Sequence, residues 1–292
     1  MRIIRKLFYT TLTTFIILSI YTITNIKDNT LRTNFEIDKI ANIKTNRVYL
    51  LNENNYLTEV DIFLDATKKE DQVSAIINYL KKTNNKIESN YKPYINENTK
   101  INNISIDNNI LYLDLSKEIK DNNIDLVIRG LVRSLLEIKG IDKVDFKVDN
   151  NYLEGYDKLL TKDLAINKEY NFNNRKDINK VVIYYYSKDN NYIPVSKYTN
   201  DTREKIEIII DELKNNTNSN LISYLNDNTE LISYKEENNI LFLDFNKYLT
   251  KEKNVIKYNL DEISKSVFNN YDVSTVMFTV EKKQLEMINK NE

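Results

Sequence analysis

The sequence predicts an α+β fold, two tandem small α/β-sandwich modules preceded by an N-terminal transmembrane helix, and three observations carry that prediction. The second half of the chain repeats the first. Tyr94-Ile95-Asn96-Glu97-Asn98-Thr99 returns as Tyr224-Leu225-Asn226-Asp227-Asn228-Thr229, and Asn108-Asn109-Ile110-Leu111-Tyr112-Leu113-Asp114 returns as Asn238-Asn239-Ile240-Leu241-Phe242-Leu243-Asp244, with the same spacing between blocks. Strand and helix periodicities alternate in the same order in both copies. An uncharged segment, residues 7–26, stands at the start between basic residues. A repeat of this size exceeds the roughly 20 to 50 residues of a solenoid unit, so each copy is expected to hold its own core. The expected organisation is a signal anchor over residues 1–27, a stem over 28–46, a first module over 47–154, a linker over 155–180 and a second module over 181–287.

Residues 7–26 are about as many as the roughly 20 a membrane-spanning helix needs. Arg2, Arg5 and Lys6 precede them and Lys27 follows. That asymmetry favours an inside N-terminus and places the bulk of the chain outside the cytoplasm. Ser19-Ile20-Tyr21-Thr22-Ile23-Thr24 is too bulky for a cleavage site built of small residues, which favours a retained single-pass anchor in the cell membrane over a cleaved signal peptide. With no cysteine to acylate, a lipoprotein is excluded.

In the first module, Val48-Tyr49-Leu50-Leu51 and then Leu57, Val60, Ile62 and Leu64 mark two strands. Val73, Ile76, Ile77 and Leu80 fall on one face of a helix, with Thr67 and Glu70 spaced as a capping box at its start. Residues 101–106 and 110–115 flank Asp107-Asn108-Asn109, whose asparagines tolerate the positive φ of a tight hairpin. Ile124, Val127, Ile128, Leu131, Leu135 and Ile138 recur at helical spacing, and Gly140 is placed to end that helix as its C′ residue. Val144, Phe146 and Val148 alternate with Asp145 and Lys147, a half-buried strand. The second copy repeats this order with a strand over 181–186 and a helix face of Ile206, Ile209, Ile210 and Leu213 behind Asp201 and Glu204 in cap-like spacing. A further helix (Leu260, Ile263, Val267, Phe268) and a last strand (Val276, Phe278, Val280) complete it. Strand, strand, helix, hairpin, helix, strand suits a sheet with helices on one face.

Composition narrows the chemistry. The formal net charge of −1 argues against nucleic acid, which needs clustered Lys and Arg. Asn, Lys, Ile and the 21 tyrosines are residues that A/T-rich codons favour, so tyrosine abundance alone announces no surface. The chain has no histidine and no cysteine, which removes disulfides, thiolate metal sites and the commonest general base. Three glycines leave no phosphate-binding loop, and Asp107-Asn108-Asn109 lacks the length and the glycine of a calcium loop. No catalytic, cofactor or metal residues are expected. Asp114 and Asp244 are the best carboxylates for hydrolysis, but each closes a strand in a different module, where Asp commonly accepts a turn or cap hydrogen bond. They are assigned, with Thr99, Thr229 and Gly140, to turns and caps. Tyr91, Tyr94, Tyr184 and Tyr186 are the candidate interaction surface, the 184–186 strand being expected to bury one ring and leave two partly exposed.

These residues resemble the GerM domain family, also called the sporulation and spore germination domain, in two tandem GerMN copies. The resemblance rests on Asn98-Thr99-Lys100-Ile101, Leu111-Tyr112-Leu113-Asp114-Leu115-Ser116-Lys117-Glu118, and Leu131-Val132-Arg133-Ser134-Leu135-Leu136 leading to Gly140-Ile141-Asp142-Lys143-Val144. The second copy supplies Asn228-Thr229-Glu230-Leu231, Leu241-Phe242-Leu243-Asp244-Phe245 and Val273-Ser274-Thr275-Val276. Where the family usually has Pro and Gly before the Thr, this chain has Asn96 and Asn98. The resemblance implies small folds similar to ring-building motifs and a non-enzymatic role in sporulation or germination. It also implies envelope or sporulation channel proteins as partners, with the N-terminal helix as the membrane attachment. The alternative is a module that binds peptidoglycan or another cell-wall glycan through its tyrosines.

Overall fold

The computed structural model describes residues 45–84, 87–120 and 123–290. The expected anchor, and the expected stem up to residue 44, lie outside the described residues. Among those described, no helix is long and apolar enough to cross a membrane. The first module comprises β1 (Thr45–Asn52), β2 (Leu57–Phe63), α1 (Lys69–Tyr79), β3 (Tyr91–Lys92), β4 (Ile101–Asp107), β5 (Ile110–Leu115), α2 (Ile124–Leu135) and β6 (Lys143–Val148). After β7 (Glu169–Asn171) the second module follows. It comprises β8 (Asn179–Tyr186), β9 (Tyr192–Thr199), α3 (Lys205–Lys214), β10 (Leu231–Glu237), β11 (Ile240–Phe245), α4 (Ile256–Asn270), β12 (Thr275–Val280) and β13 (Lys283–Asn289).

The duplicated sequence folds into duplicated geometry. Asn108 and Asn109 take φ of 49° and 62°, and Asn238 and Asn239 take 51° and 65°, the left-handed pair that a two-residue hairpin turn requires. β4 and β5 pair antiparallel with a register shift between Ile101 and Asn103; β10 and β11 show the same shift between Leu231 and Ser233. β5 then pairs parallel with β6, and β11 with β12. Alternation sends Leu111, Leu113 and Leu115 of β5 inward, and Leu241, Leu243 and Phe245 of β11 likewise. Each module has its own buried cluster: Val73, Ile76, Leu131 and Phe146 belong to the first, and Ile206, Ile209, Ile263 and Phe278 to the second.

Several local expectations are corrected. Thr67 and Glu70 form no capping box: the N-cap of α1 is Lys68, with no side-chain capping bond, and Gln72 Nε2 donates to the Ala66 carbonyl at 3.0 Å instead. At α3 the box shifts to Glu204 and Glu207, the Glu204 N–H donating to Glu207 Oε2 at 3.2 Å. Asp201 there pairs with Arg203. Gly140 is not the C′ residue of α2, whose C-cap is Leu136; at φ +84° it turns the chain between α2 and β6, its carbonyl receiving Lys69 Nζ at 3.0 Å. β1 begins at Thr45, inside the expected stem.

The segment expected as a linker is part of the fold. Leu160 exchanges both backbone hydrogen bonds with Val144 at 2.9 Å, where the second module has β13 against β12. Further on, Ile166 and Ser196 bond through the Ile166 carbonyl and the Ser196 hydroxyl. The Asn167 side chain acts as a peptide surrogate, accepting the Leu57 N–H at 2.9 Å and donating to the Leu57 and Pro194 carbonyls at 2.8 Å each. β7 then runs parallel to β9. The connecting chain is thus stitched between β2 of one module and β9 of the other, and from Asn46 onward the protein is one compact unit.

Candidate functional site

The two modules meet at a polar cleft of about 660 Å³, built by equivalent positions in the two copies. In the first module Ser134 on α2 donates to the Gly130 carbonyl at 2.7 Å and accepts the Tyr49 N–H at 2.9 Å, tying helix to strand β1. In the second, Ser266 on α4 donates to the Glu262 carbonyl at 2.6 Å and accepts the Tyr184 N–H at 2.9 Å. This shared device makes Tyr49 the counterpart of Tyr184. It likewise makes Arg133 the counterpart of Lys265, each immediately before its serine. The Arg133 guanidinium lies 5.5 Å from the centre of the Tyr49 ring, and Lys265 Nζ lies 5.4 Å from that of Tyr184. A cation over an aromatic face is favourable, more so when desolvated.

These side chains cross-link the modules. Lys265 Nζ reaches Glu59 Oε2 at 3.3 Å, and Arg47 Nε approaches the same oxygen at 3.4 Å. The Tyr49 hydroxyl donates to Glu59 Oε1 at 2.9 Å. Arg133 Nη2 donates to the hydroxyls of Tyr49 at 3.3 Å and Tyr184 at 3.4 Å, and Asn269 Nδ2 donates to Tyr184 at 3.2 Å. Burial alone would raise the Glu59 carboxyl, but Lys265, Arg47 and the Tyr49 hydroxyl outweigh it and hold it below the ordinary glutamate range. Burial pushes the Tyr49 and Tyr184 hydroxyls well up, and that of Tyr192, beneath Lys265, up to about 12, so all three are neutral. A paired, hydrogen-bonded carboxylate is the form in which a charge survives burial.

The cleft explains why the tyrosines chosen from the sequence do not form an exposed surface. Tyr91, Tyr94, Tyr184 and Tyr186 are all buried, none more than 5% exposed. Tyr94 donates to the Tyr49 carbonyl at 3.0 Å; Tyr91 reaches across to Asn191 and Asp189 of the second module. On β8, Val181, Ile183 and Tyr185 enter the core. Tyr184 faces the cleft, and Tyr186 sits among Tyr192, Tyr224 and Tyr258. A strand covered on both faces buries every ring, where alternation alone assigned one face to solvent. Sequence reading missed Arg133, Lys265, Glu59 and Arg47. The signal was present in the repeat: a cation before Ser134 recurs before Ser266.

Asp114 and Asp244 lie in separate modules and hold turns. Asp114 Oδ1 accepts the Asn150 N–H at 2.9 Å, and Asp244 Oδ1 accepts the Lys282 N–H at 2.9 Å and the Thr279 hydroxyl at 2.6 Å. These are the turns after β6 and β12, reached across the parallel pairing, rather than the turns that follow each Asp in sequence. The Thr99 and Thr229 N–H groups close turns onto the Asn96 and Asn226 carbonyls at 3.1 and 2.8 Å, while both hydroxyls are buried without a hydrogen-bond partner.

The model of the family described as Germane, sporulation and spore germination, matches residues 47–154 and 182–286. The chain belongs to the Germane family. The tandem Germane modules also superpose on the tandem GerMN domains of the sporulation protein GerM from Bacillus subtilis. That match has a TM-score of 0.73 at 19% identity and covers 84% of this chain and 96% of that one. At that identity the likeness establishes the fold. The isolated first GerMN domain of the same protein matches over 39% of this chain and 88% of its own at 19% identity and a TM-score of 0.34. A putative lipoprotein from Clostridium perfringens matches over 41% and 90%, at 19% and 0.28. No curated protein sequence matches.

Proposed function

We propose that this Germane protein is a non-enzymatic assembly factor of sporulation or spore germination, anchored by its N-terminal helix with both modules outside the cytoplasm. In this reading it supports an envelope channel complex. The observation that carries it is the tandem fold: two modules of one family, matched as a pair to tandem GerMN domains. The local chemistry supports a scaffold. Asp114 and Asp244 are each spent on a turn amide, and the junction carboxylate Glu59 is held by two cations and a tyrosine. The ring-building-motif character expected from the resemblance fits a subunit that stacks against neighbours.

An affinity-tagged full-length chain, solubilised from sporulating cells, is expected to bring down envelope channel proteins; recovery of none, with normal sporulation in a deletion strain, would end this reading. Location is tested separately. The chain has no cysteine, so a single Lys158→Cys substitution at an exposed position reports it cleanly. A membrane-impermeant maleimide should label that variant in intact cells, and labelling only after lysis would place the modules inside. The glycan reading loses the four tyrosines it was built on, since all are buried. Sedimentation of the chain with purified cell wall is its remaining test.

A further inference from the structure

The equivalent cations of the two modules do not have equivalent anions. Lys265, from the helix of the second module, reaches Glu59, the strand residue ten positions after Tyr49 whose carboxylate binds the Tyr49 hydroxyl. The corresponding strand residue of the second module, opposite Tyr184 in the β8–β9 register, is Pro194. Arg133, from the helix of the first module, therefore reaches toward a strand with no carboxylate to offer. The residue is 3% exposed, yet its hydrogen-bond partners are all neutral: Nη1 donates to the Lys162 carbonyl and Nη2 to two tyrosine hydroxyls. Nε is buried and has no partner. Glu137 and Glu59 act on Arg133 only through space, with no direct ion pair, and a buried cation is best held by a carboxylate in contact or by full hydrogen bonding, neither of which it has complete.

Arg133 lines the 660 Å³ cleft, and Arg47, Lys162, Lys265 and Lys290 also belong to its lining. From this we infer that the cleft is a carboxylate-binding site, which takes a Glu or Asp side chain of a partner protein onto Arg133. A carboxylate fits better than a phosphate for two reasons. Its planar pair of oxygens matches the guanidinium fork. The cleft is also lined by Glu59, Glu137, Asp163 and Asp272, which repel a dianion more than a monoanion. The volume lies within the range of about 300–1,000 Å³ of ordinary ligand pockets, and Phe268 and Tyr271 give apolar surface to the residues flanking the acid. This inference deepens the assembly reading by giving its partner a chemistry, and rests on it.

The test is fluorescence anisotropy of a fluorescein-labelled peptide of alternating glutamate and alanine, titrated with the full chain in detergent micelles. The expected result is saturable binding, at least tenfold weaker when glutamine replaces glutamate and at least tenfold weaker with Arg133→Gln. Because Arg133→Gln also removes bonds that join the modules, Pro194→Glu is the second variant. It supplies the missing carboxylate from within and should block the peptide while leaving the thermal midpoint unchanged or raised. Equal binding of the glutamate and glutamine peptides, no binding of either, or unaltered binding to Pro194→Glu would overturn the inference. Displacement by millimolar inorganic phosphate but not by acetate would overturn the carboxylate assignment. Displacement by soluble peptidoglycan fragments in preference to the acidic peptide would overturn the protein partner. The pull-down from cells reports independently, so channel proteins recovered without peptide binding sink this site and leave the assembly reading standing.

Discussion

One turn before the serine that ties helix to strand, the first module has Gly130 and the second has Glu262. In the first, Tyr94 lies over the glycine, its hydroxyl bonded to the Tyr49 carbonyl; a Cβ at Gly130 would stand 2.5 Å from that hydroxyl. In the second, the Glu262 side chain is buried, accepting from the Ser223 hydroxyl at 3.0 Å. Tyr224, the repeat counterpart of Tyr94, turns outward to Asn190 and packs on Tyr258. The two copies hold one backbone with exchanged fillings: a small helix residue with a large loop residue inside, or the reverse. A duplicated scaffold can therefore diverge at its core only in compensating pairs, because close packing leaves no room for one change alone.

The largest effect expected from breaking this comparison is at Glu59, which has no acidic counterpart in the second module. Glu59→Ala leaves Lys265 and the Tyr49 hydroxyl without their acceptor, while Arg47 keeps Asp61 at 3.6 Å. Losing one partner of a buried pair costs about 3–5 kcal/mol. Urea unfolding should show the midpoint falling accordingly; a loss of under about 1 kcal/mol would mean that the junction is solvated and that the network contributes little.

The second effect sets the two buried glutamates against each other. Burial pushes the Glu262 carboxyl well above the ordinary range, since no cation faces it and Oε2 has no partner. A carboxyl raised on folding contributes stability that is full below the unfolded pKa of about 4.3 and is lost as pH rises through the folded value. Glu59, held low, contributes in the opposite sense: its stability is present above about pH 4.3 and is lost as pH falls through the folded value. Glu262→Gln should therefore match the parent near pH 4 and exceed it increasingly on the alkaline side, by at most about 1.4 kcal/mol for each pH unit. Glu59→Gln should instead flatten the acid limb. Parallel stability curves for parent and Glu262→Gln from pH 4 to 9 would show that the carboxyl is already ionised in the folded protein.

Smaller still is the Gly130 effect, where the sign is the informative part. In an ordinary helix interior Gly→Ala gains about 0.5–1 kcal/mol. Here the added methyl meets the Tyr94 ring at 2.5–2.7 Å and Leu57 Cδ2 at 2.8 Å, so Gly130→Ala should cost about 1–3 kcal/mol of overpacking. On a Tyr94→Leu background the loss should shrink, which a double-mutant cycle measures. An additive cycle would refute the paired exchange.

What the sequence made legible follows from local rules. The asparagine pairs at 108–109 and 238–239 announce their own left-handed turns, and the apolar spacing of α2 and α4 marks the faces that Leu131 and Ile263 bury. What stayed hidden depends on partners distant in sequence. Tyr184 and Tyr186 read as half-exposed because alternation assumes one solvent face, whereas Arg133, Lys265 and Tyr258 cover that face. The polar 155–180 segment read as a linker because its anchoring is done by backbone groups and by Asn167, which leave no apolar period. Glu59 could not be singled out among the chain's acids until β1 and β2 placed it beside Tyr49.

β13 escaped notice for a different reason, and it supplies the smallest prediction. The turn before it places Glu281 and Lys282 at φ 49° and 66°, whereas the equivalent turn in the first module uses Asp149 and Asn150 at 46° and 60°. Asn and Asp tolerate the left-handed region through local hydrogen bonds; Lys and Glu do not, and the region costs an ordinary L-residue about 1–2 kcal/mol. No turn signal stands in the sequence there, so the chain reads as ending its fold at β12. The turn forms because Asp244 holds the Lys282 N–H and because β13 pairs along β12 from Lys283 to Asn289. Lys282→Gly should then raise stability by about 1 kcal/mol, while Asn150→Gly should change it by only a few tenths. Asp244→Ala should in turn cost more than Asp114→Ala, because it releases a strained turn and the Thr279 hydroxyl as well as an amide. If the two glycine substitutions gave equal gains, backbone strain would not be what separates the turns, and the difference between the modules would rest on β13 alone.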